Sequence, residues 1–326
     1  MKKIIFGVMG CASIAKRSVI PAIIQSQKAE LRYVASRSIE KANEFAKQFD
    51  VEALPNYEAL LVQKDIDAIY MPLPTGLHYE WANKVLDAGK HLLIEKSLST
   101  DYLQASDIIE KAKGKNLLVI ENYMFEYHTQ QKAVLDLVKS HLGKIRLFKA
   151  SFGFPPLKYN NFRYDPDVGG GALIDAGGYV LKALRVFFPG YRYELLSSTL
   201  GMSETGVDLV GSGMFLLHRN ECNTIPAHVA FGFDNFYQCG VEFWGSKGKI
   251  VTDRTFTAHP AYKPQITLET SDFKDRIELE EDNHFLKIID HFATVLKSRR
   301  FSEEYDSILV QARLQQNFRT SAVLLK

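Results

Sequence analysis

The apolar run Ile4–Met9 ends on a glycine-rich turn and leads straight into a helical pattern. That junction constrains the fold more than any other feature of the chain. A short run without polar alternation suits a strand buried on both faces. The rhythm then repeats. Helices are expected over 14–26, 39–49, from an N-cap at Thr75 to a stop at Gly89, and over 102–113. Strands are expected over 31–36, 66–71, 91–94 and 117–120. Strands regularly alternating with helices are joined by right-handed crossovers into a parallel sheet. After Glu121 the rhythm changes. Residues 130–140 read as a helix, 145–154 as a long strand, 154–166 as an aromatic loop, and 172–188 as a helix behind Gly169-Gly170-Gly171. From 193 to 279, alternation such as His228-Val229-Ala230-Phe231-Gly232-Phe233 continues without crossover helices, which predicts a largely antiparallel sheet. Helices over 285–297 and 302–324 close the chain. The expected fold is α/β with a doubly wound parallel sheet over 1–121. An α+β domain with a large, mostly antiparallel open sheet follows over 122–326, for substrate binding and oligomerisation.

Charge excludes whole classes of function. Forty Lys and Arg face 38 Asp and Glu, a net charge of +2. Nucleic-acid-binding domains are far more basic, so any anion must be held locally. No apolar run reaches the roughly 18 residues of a membrane span. The opening stretch is broken by Gly7 and Gly10 and reads as a buried strand rather than a leader. Cys11, Cys222 and Cys239 are odd in number and form no C-x-x-C pair, which points to a reducing, cytoplasmic setting. The histidines form no HExxH or Cys/His cluster, so no metal is expected.

The first turn reads Gly7-Val8-Met9-Gly10-Cys11-Ala12-Ser13-Ile14-Ala15. Its small residues follow the dinucleotide fingerprint with altered spacing. Gly7 allows the tight turn, Gly10 lets backbone approach a pyrophosphate, and Ala12 lets the helix pack close. Gly7, Gly10, Cys11, Ala12, Ser13 and Ile14 are the expected cofactor contacts, with the anion at a helix N-terminus. Strand two ends in Ser36-Arg37-Ser38, where NAD-binding folds usually place an acid for the ribose 2′-hydroxyl. A guanidinium can fork onto a 2′-phosphate that a carboxylate would repel. Ser36 and Arg37 therefore indicate NADP(H), although Glu40 lies close by. The loop from Pro72 to His78 falls at the carboxyl ends of the strands, the usual ligand crevice. Pro72, Leu73, Thr75 and His78 join the cofactor contacts, with polar capping the equal alternative for His78.

Strand four ends in Glu95-Lys96-Ser97 at the same edge. Glu95 and Lys96 are expected over the cofactor, where desolvation lowers a lysine's pKa. The helix behind the glycine run carries Asp175 and Tyr179 at i, i+4, on one face. Gly177 and Gly178 inside it each cost about 1 kcal/mol relative to Ala, which implies that cofactor or sheet presses close. A tyrosine there can give a proton to a developing alkoxide. The loop over 154–166 holds Tyr159 and Arg163, whose ring and guanidinium suit a sugar and a diphosphate. A surface or subunit contact is the alternative.

In this order, the glycine turn, Glu95-Lys96, Glu121-Asn122-Tyr123 and the stretch from Gly169 to Tyr179 resemble the glucose-fructose oxidoreductase, inositol dehydrogenase and rhizopine-catabolism family. The resemblance spans essentially the whole chain. It implies a Rossmann domain followed by an α+β domain with a large open sheet. It carries the lysine of the family's EKP motif onto Lys96 and the aspartate of its GGG…D-x-G-x-H pattern onto Asp175. Two positions depart. Ser97 replaces the usual proline, which leaves open whether the peptide after Lys96 is cis, and Tyr179 replaces the common histidine. The segments Asp234-Asn235-Phe236-Tyr237-Gln238-Cys239 and Trp244-Gly245-Ser246-Lys247-Gly248 look most like the deoxysugar 3-ketoreductases.

The resemblance thus implies an NADPH-dependent reductase of a keto group on a nucleotide-linked sugar. Lys96 would stabilise the oxyanion and Tyr179 supply the proton, in roles that can be exchanged. Asp175 would orient a sugar hydroxyl or the lysine, and Tyr123 would contact substrate. The alternatives are an NADP-dependent dehydrogenase of free aldoses or diols, and a non-catalytic NADP(H)-binding regulator. A homodimer or homotetramer is expected through the C-terminal sheet. Aromatic strands near Phe231, Phe233 and Phe243 would cover its open face, unless helices of the same chain do so.

Overall fold

The computed structural model describes residues 2–158, 160–220 and 223–325, so Tyr159 and Cys222 lie outside the described residues. The chain divides into two compact units. One is Met1–Asn122 with Phe285–Ala312, the other Tyr123–His284 with Arg313–Lys326.

In the first unit, β1 (Ile4–Met9), β2 (Ala29–Ala35), β3 (Glu52–Leu54), β4 (Ala68–Met71), β5 (His91–Ile94) and β6 (Val119–Glu121) form a wholly parallel sheet. The order is β3-β2-β1-β4-β5-β6. It reverses at β1, so the carboxyl ends of β1 and β4 flank the switch point where open α/β sheets bind ligands. Helices α1 (Ile20–Gln25), α2 (Ile39–Phe49), α3 (Tyr57–Leu61), α4 (His78–Asp87) and α5 (Tyr102–Lys115) connect the strands. The sequence reading misses β3 and α3 because three residues at a sheet edge leave no apolar run to detect.

Three helix starts differ from expectation, one of them the helix expected from 172, where Leu173–Gly177 is a π-helical turn and the α-helix begins at Gly178. A π-helical turn, Ala15–Val19, precedes α1. Pro21 lies just inside α1 and has no N–H for the carbonyl four residues back, so the ladder is already interrupted there. Thr75 does not cap α4. With Pro74 before it, Thr75 opens a 3₁₀ turn to Leu77, and α4 begins at His78 without a side-chain cap.

The second unit contains α6 (Thr129–His141), β7 (Ile145–Gly153), α7 (Gly178–Phe187), β8 (Arg192–Met202), β9 (Asp208–Asn220) and β10 (Asn223–Gly232). The strands β11 (Gln238–Gly245), β12 (Gly248–Thr252), β13 (Gln265–Thr270) and β14 (Lys274–Glu278) follow. The chain then forms α8 (His284–Ser298), α9 (Ser302–Thr320) and β15 (Ala322–Leu325). The nine-stranded sheet runs β14-β13-β12-β11-β7-β10-β9-β8-β15. Only β7/β10 and β8/β15 pair in parallel. The last helix stops short of residue 324 because Ala322–Leu325 adds instead to the edge of β8.

Alternation decides which face of this sheet is covered. Phe148, Ala150, Phe152, Val229, Phe231, Val241 and Phe243 are buried on the inner face. Phe231, Phe233 and Phe243 are therefore core residues and not the covering surface expected of them. Met214, Trp244 and Val251 are exposed instead, near a Lys149–Glu242 pair at 3.1 Å.

The chain leaves the first unit after Asn122 but does not leave it for good. Residues 285–312 return to it. Phe292 meets Phe6 with ring centroids 5.3 Å apart, Ser26 Oγ donates to Asp290 Oδ1 at 2.6 Å, and Tyr305 Oη donates to the Leu117 carbonyl at 2.7 Å. Among the described residues no helix is long and apolar enough to cross a membrane.

At the start of β5, His91 Nδ1 accepts from Leu118 N at 2.9 Å. Burial, with the nearby Arg299 charge, holds this imidazole at about 4. A histidine neutral when folded and near 6.5 when unfolded supports the fold above pH 6.5 and loses that support as pH falls toward 4. Urea titrations from pH 7 to 4 should show a falling stability, with at most about 3 kcal/mol from this residue. His91→Asn keeps an acceptor for Leu118 but cannot titrate, and should flatten the slope by about one proton. An unchanged slope would count against this reading.

Candidate active site

The crevice of the first unit is built from the loops after β1, β2, β4 and β5. Gly10 turns the chain after β1 at φ +121°, and its N–H donates to the Ala35 carbonyl at 2.9 Å. A Cβ there would be strained and would sit 3.0 Å from Leu73 Cδ2, so only glycine fits the turn. Gly7 has a different task. It lies inside β1, where a Cβ would come within 2.7 Å of Leu60 and 2.9 Å of Ile66. Gly7 is a packing residue of the core and not the turn residue expected from the fingerprint. Cys11, Ala12, Ser13 and Ile14 follow the turn and stay half-buried or exposed. Burial pushes the Cys11 thiol up, against a hydrogen bond with Ser36 that pulls it down.

At the end of β2, Ser36 is buried and Arg37 is exposed, with Tyr57 beside it. Glu40 is engaged at one oxygen. Ser38 caps α2 by accepting from Lys41 N and donates to Glu40 Oε2 at 2.6 Å. That bond holds Glu40 below the usual carboxylate range.

The segment from Glu95 to Leu98 is anchored on several sides. Glu95 Oε1 accepts from Tyr70 Oη at 2.7 Å and Asn122 Nδ2 at 2.6 Å, which ties the ends of β4, β5 and β6 together. Burial raises the Glu95 pKa, while these two donors and the Lys96 charge oppose the rise. Leu98 N donates to Glu121 Oε1 at 2.7 Å. The carbonyl of Ser97 lies 2.8 Å from His78 Nδ1. Lys96 itself is half-buried, and the Lys96–Ser97 peptide is cis. Tyr70, Glu121 and Asn122 are functional supports that the sequence reading did not select.

His78 is not a cofactor contact. It is 0% exposed, and its second nitrogen lies 2.8 Å from the Leu73 carbonyl. It works from behind the loop. Pro72 and Leu73 are also buried, while Thr75 is half-buried.

In the second unit, Tyr179 sits in an aromatic box. Its ring lies 5.4 Å from Tyr123, 5.8 Å from Phe125, 5.2 Å from Phe152 and 5.9 Å from Phe256. The contacts with Tyr123 and Phe152 are edge-to-face and the other two tilted, and together they fix the ring's plane. Tyr123 is 0% exposed, so it supports Tyr179 and does not present a surface to substrate. Lys182 lies over the Tyr123 ring at 5.5 Å and pairs with Glu126 at 3.0 Å.

Asp175 is also recast. Arg163 Nε donates to Asp175 Oδ2 at 2.7 Å, so the aspartate holds the arginine. Burial works against the Arg163 charge, but Asp175 outweighs it and raises the guanidinium pKa, with Tyr179 near enough to contribute. The glycine run positions this arginine. Gly171 N donates to the Arg163 carbonyl and Gly170 N to the Asp165 carbonyl, both at 2.9 Å. The helical turn that follows is capped by Asp208, which accepts from Leu173 N at 2.5 Å. Tyr159 is the one substrate candidate that lies outside the described residues.

Two family models match the chain. One is the GFO/IDH/MocA oxidoreductase family with an NAD-binding Rossmann fold, over residues 4–123, and the other is the GFO/IDH/MocA C-terminal domain, over residues 132–251. A dTDP-3,4-didehydro-2,6-dideoxy-alpha-D-glucose 3-reductase from Saccharopolyspora spinosa is 40% identical over 298 residues, 91% of this chain and 89% of that protein. D-xylose 1-dehydrogenase (NADP(+)) 2 of Haloferax volcanii is 30% identical over 81% of this chain and 80% of that protein. KijD10, a 3-ketoreductase from Actinomadura kijaniata solved with NADP and TDP-benzene, superposes with a TM-score of 0.94 at 35% identity, covering 99% of both chains. Structures of that enzyme with a tyrosine changed to phenylalanine or a lysine changed to alanine match over the same share.

The close approach of Tyr123 to α7 makes a stability prediction. An alanine at Gly178 would normally strengthen a helix by about 1 kcal/mol. Here the added methyl would collide with Tyr123 Oη. Gly178→Ala should therefore destabilise by about 1–3 kcal/mol. Tyr123→Phe in the same chain should recover part of the loss, as read by urea denaturation of both single variants and the double. Additive effects would contradict a direct collision.

Proposed function

The chain belongs to the GFO/IDH/MocA oxidoreductase family, and from that premise we propose that it uses NADPH to reduce the 3-keto group of a nucleotide-linked deoxysugar. One observation carries the reading. Lys96, on a segment anchored from three neighbouring elements, and Tyr179, boxed by aromatic rings, are prepared groups in a chain that matches deoxysugar 3-reductases over nine-tenths of its length. KijD10 was studied with a lysine and a tyrosine replaced, separated by nearly the same stretch of chain as Lys96 and Tyr179.

The residues of the crevice fit NADP(H). Gly10 would admit backbone close to a pyrophosphate, Arg37, exposed at the end of β2, would fork onto a 2′-phosphate, and Glu40 is engaged by Ser38. When bound, NADPH supplies the hydride that goes to the carbonyl carbon. Lys96 stabilises the negative charge that develops on the oxygen, and Tyr179 gives that oxygen its proton. Arg163, fixed by Asp175, is assigned to the diphosphate of the nucleotide. Asp175 holds Arg163 for that role. The sparse, unclustered cysteines, of which Cys11 and Cys239 are free, go with the cytoplasmic setting assigned here. The outer sheet face around Met214, Trp244 and Val251 is assigned to pairing of subunits.

Turnover of a dTDP-linked 3-keto-sugar should fall about 100-fold or more in Lys96→Met and in Tyr179→Phe. Near wild-type rates in Lys96→Met would overturn the assignment. Robust NADP reduction with free xylose, without keto-sugar activity, would favour the aldose dehydrogenase reading instead. Arg37→Ala should raise the KM for NADPH about 10- to 100-fold and leave that for NADH little changed. Light scattering should report an oligomer that Trp244→Glu dissociates. A monomeric wild type would remove the subunit contact.

A further inference from the structure

His78 poses a question of proton count. Nδ1 and Nε2 both lie 2.8 Å from carbonyl oxygens, those of Ser97 and Leu73. Burial, reinforced by the Lys96 charge, keeps the ring neutral at ordinary pH. A neutral imidazole has one N–H, so only one of the two carbonyls receives it at a time. The two carbonyls belong to different parts of the crevice. Ser97 directly follows Lys96. Leu73 lies in the loop against Gly10, between Pro72 and Pro74, whose rings already fix that backbone. The ring also meets the backbone of Leu98, so the segment after Lys96 offers its N–H two acceptors and the Leu73 loop one.

We propose that His78 is a positioning residue for Lys96, donating from Nδ1 to the Ser97 carbonyl and so aiming the lysine. The inference deepens the proposed reaction and rests on the role of Lys96 in it. Four contacts then hold the segment from both ends and the middle: Tyr70 and Asn122 on Glu95, His78 on Ser97, and Glu121 on Leu98.

Two substitutions separate the two bonds. In His78→Asn the amide nitrogen can take the place of Nδ1 and donate to Ser97. In His78→Gln it reaches the place of Nε2 and donates to Leu73. The full-length variants are compared for kcat on the keto-sugar, KM and Kd for NADPH, melting temperature, and the NMR position of ¹³C-dimethylated Lys96. His78→Asn should keep kcat at least about tenfold above His78→Gln, since small misplacement of a reacting group costs rates of this order. NADPH affinity should be similar in both, and the Lys96 signal should move in His78→Gln only. Equal kcat in the two variants, or kcat that simply follows melting temperature, would overturn the proposal. Failure of the wild type on every nucleotide keto-sugar would refute the functional reading alone. The Lys96 signal would still decide the positioning role.

Discussion

The carboxylate of Glu95 is where the first unit is tied together. A single oxygen receives Tyr70 from β4 and Asn122 from beyond β6, with Glu95 itself at the end of β5. Parallel strands are joined along their lengths by main-chain bonds, but their carboxyl ends diverge into loops. Side chains must hold those ends if a catalytic group is to be placed there. Burial opposes the charge on Glu95 and raises its pKa, and the two donors with the Lys96 ammonium offset part of that cost. The lysine and the glutamate before it therefore form one electrostatic unit, in which each makes the other easier to keep in place.

A different kind of support works in the second unit. Tyr179 is fixed by shape rather than by charge, with four rings around it and little room to tilt. Helix α7 can come close because Gly177 and Gly178 carry no side chains. A Cβ at Gly177 would already touch Phe231 at 3.1 Å, and Tyr123 lies against Gly178. The glycines inside the helix, a local weakness, are what allow the sheet and the tyrosine to meet the helix at all. The pressure that the sequence implied thus comes from the protein's own sheet and from Tyr123.

Much of this was legible in the chain because periodicity and punctuation are local. Ile39–Phe49 and His91–Ile94 fall where the patterns placed them. Lys96, Arg37 and Tyr179 stood out because each sits at a predictable place: a strand end, a cofactor-selecting turn or a helix face. What escaped was long-range. Arg163 and Asp175 were both visible, but nothing in their order says that they pair. His78 and Tyr123 resemble ligand contacts in a string of letters, and only burial shows them working from behind. Gly7 was misread for the same reason, since its neighbours Leu60 and Ile66 lie some fifty residues away in sequence.

The return of residues 285–312 to the first unit has a consequence for how the chain is made. Ser26 and Asp290 are 264 residues apart, yet they touch, as do Phe6 and Phe292. A ribosome releases the sheet of the first unit long before the helix that covers it. Until the rest of the chain has followed, Phe6 has no ring to pack against. The first unit thus waits for residues 285–312 and the second for β15, so the nine-stranded sheet emerges while its neighbour in sequence is still open.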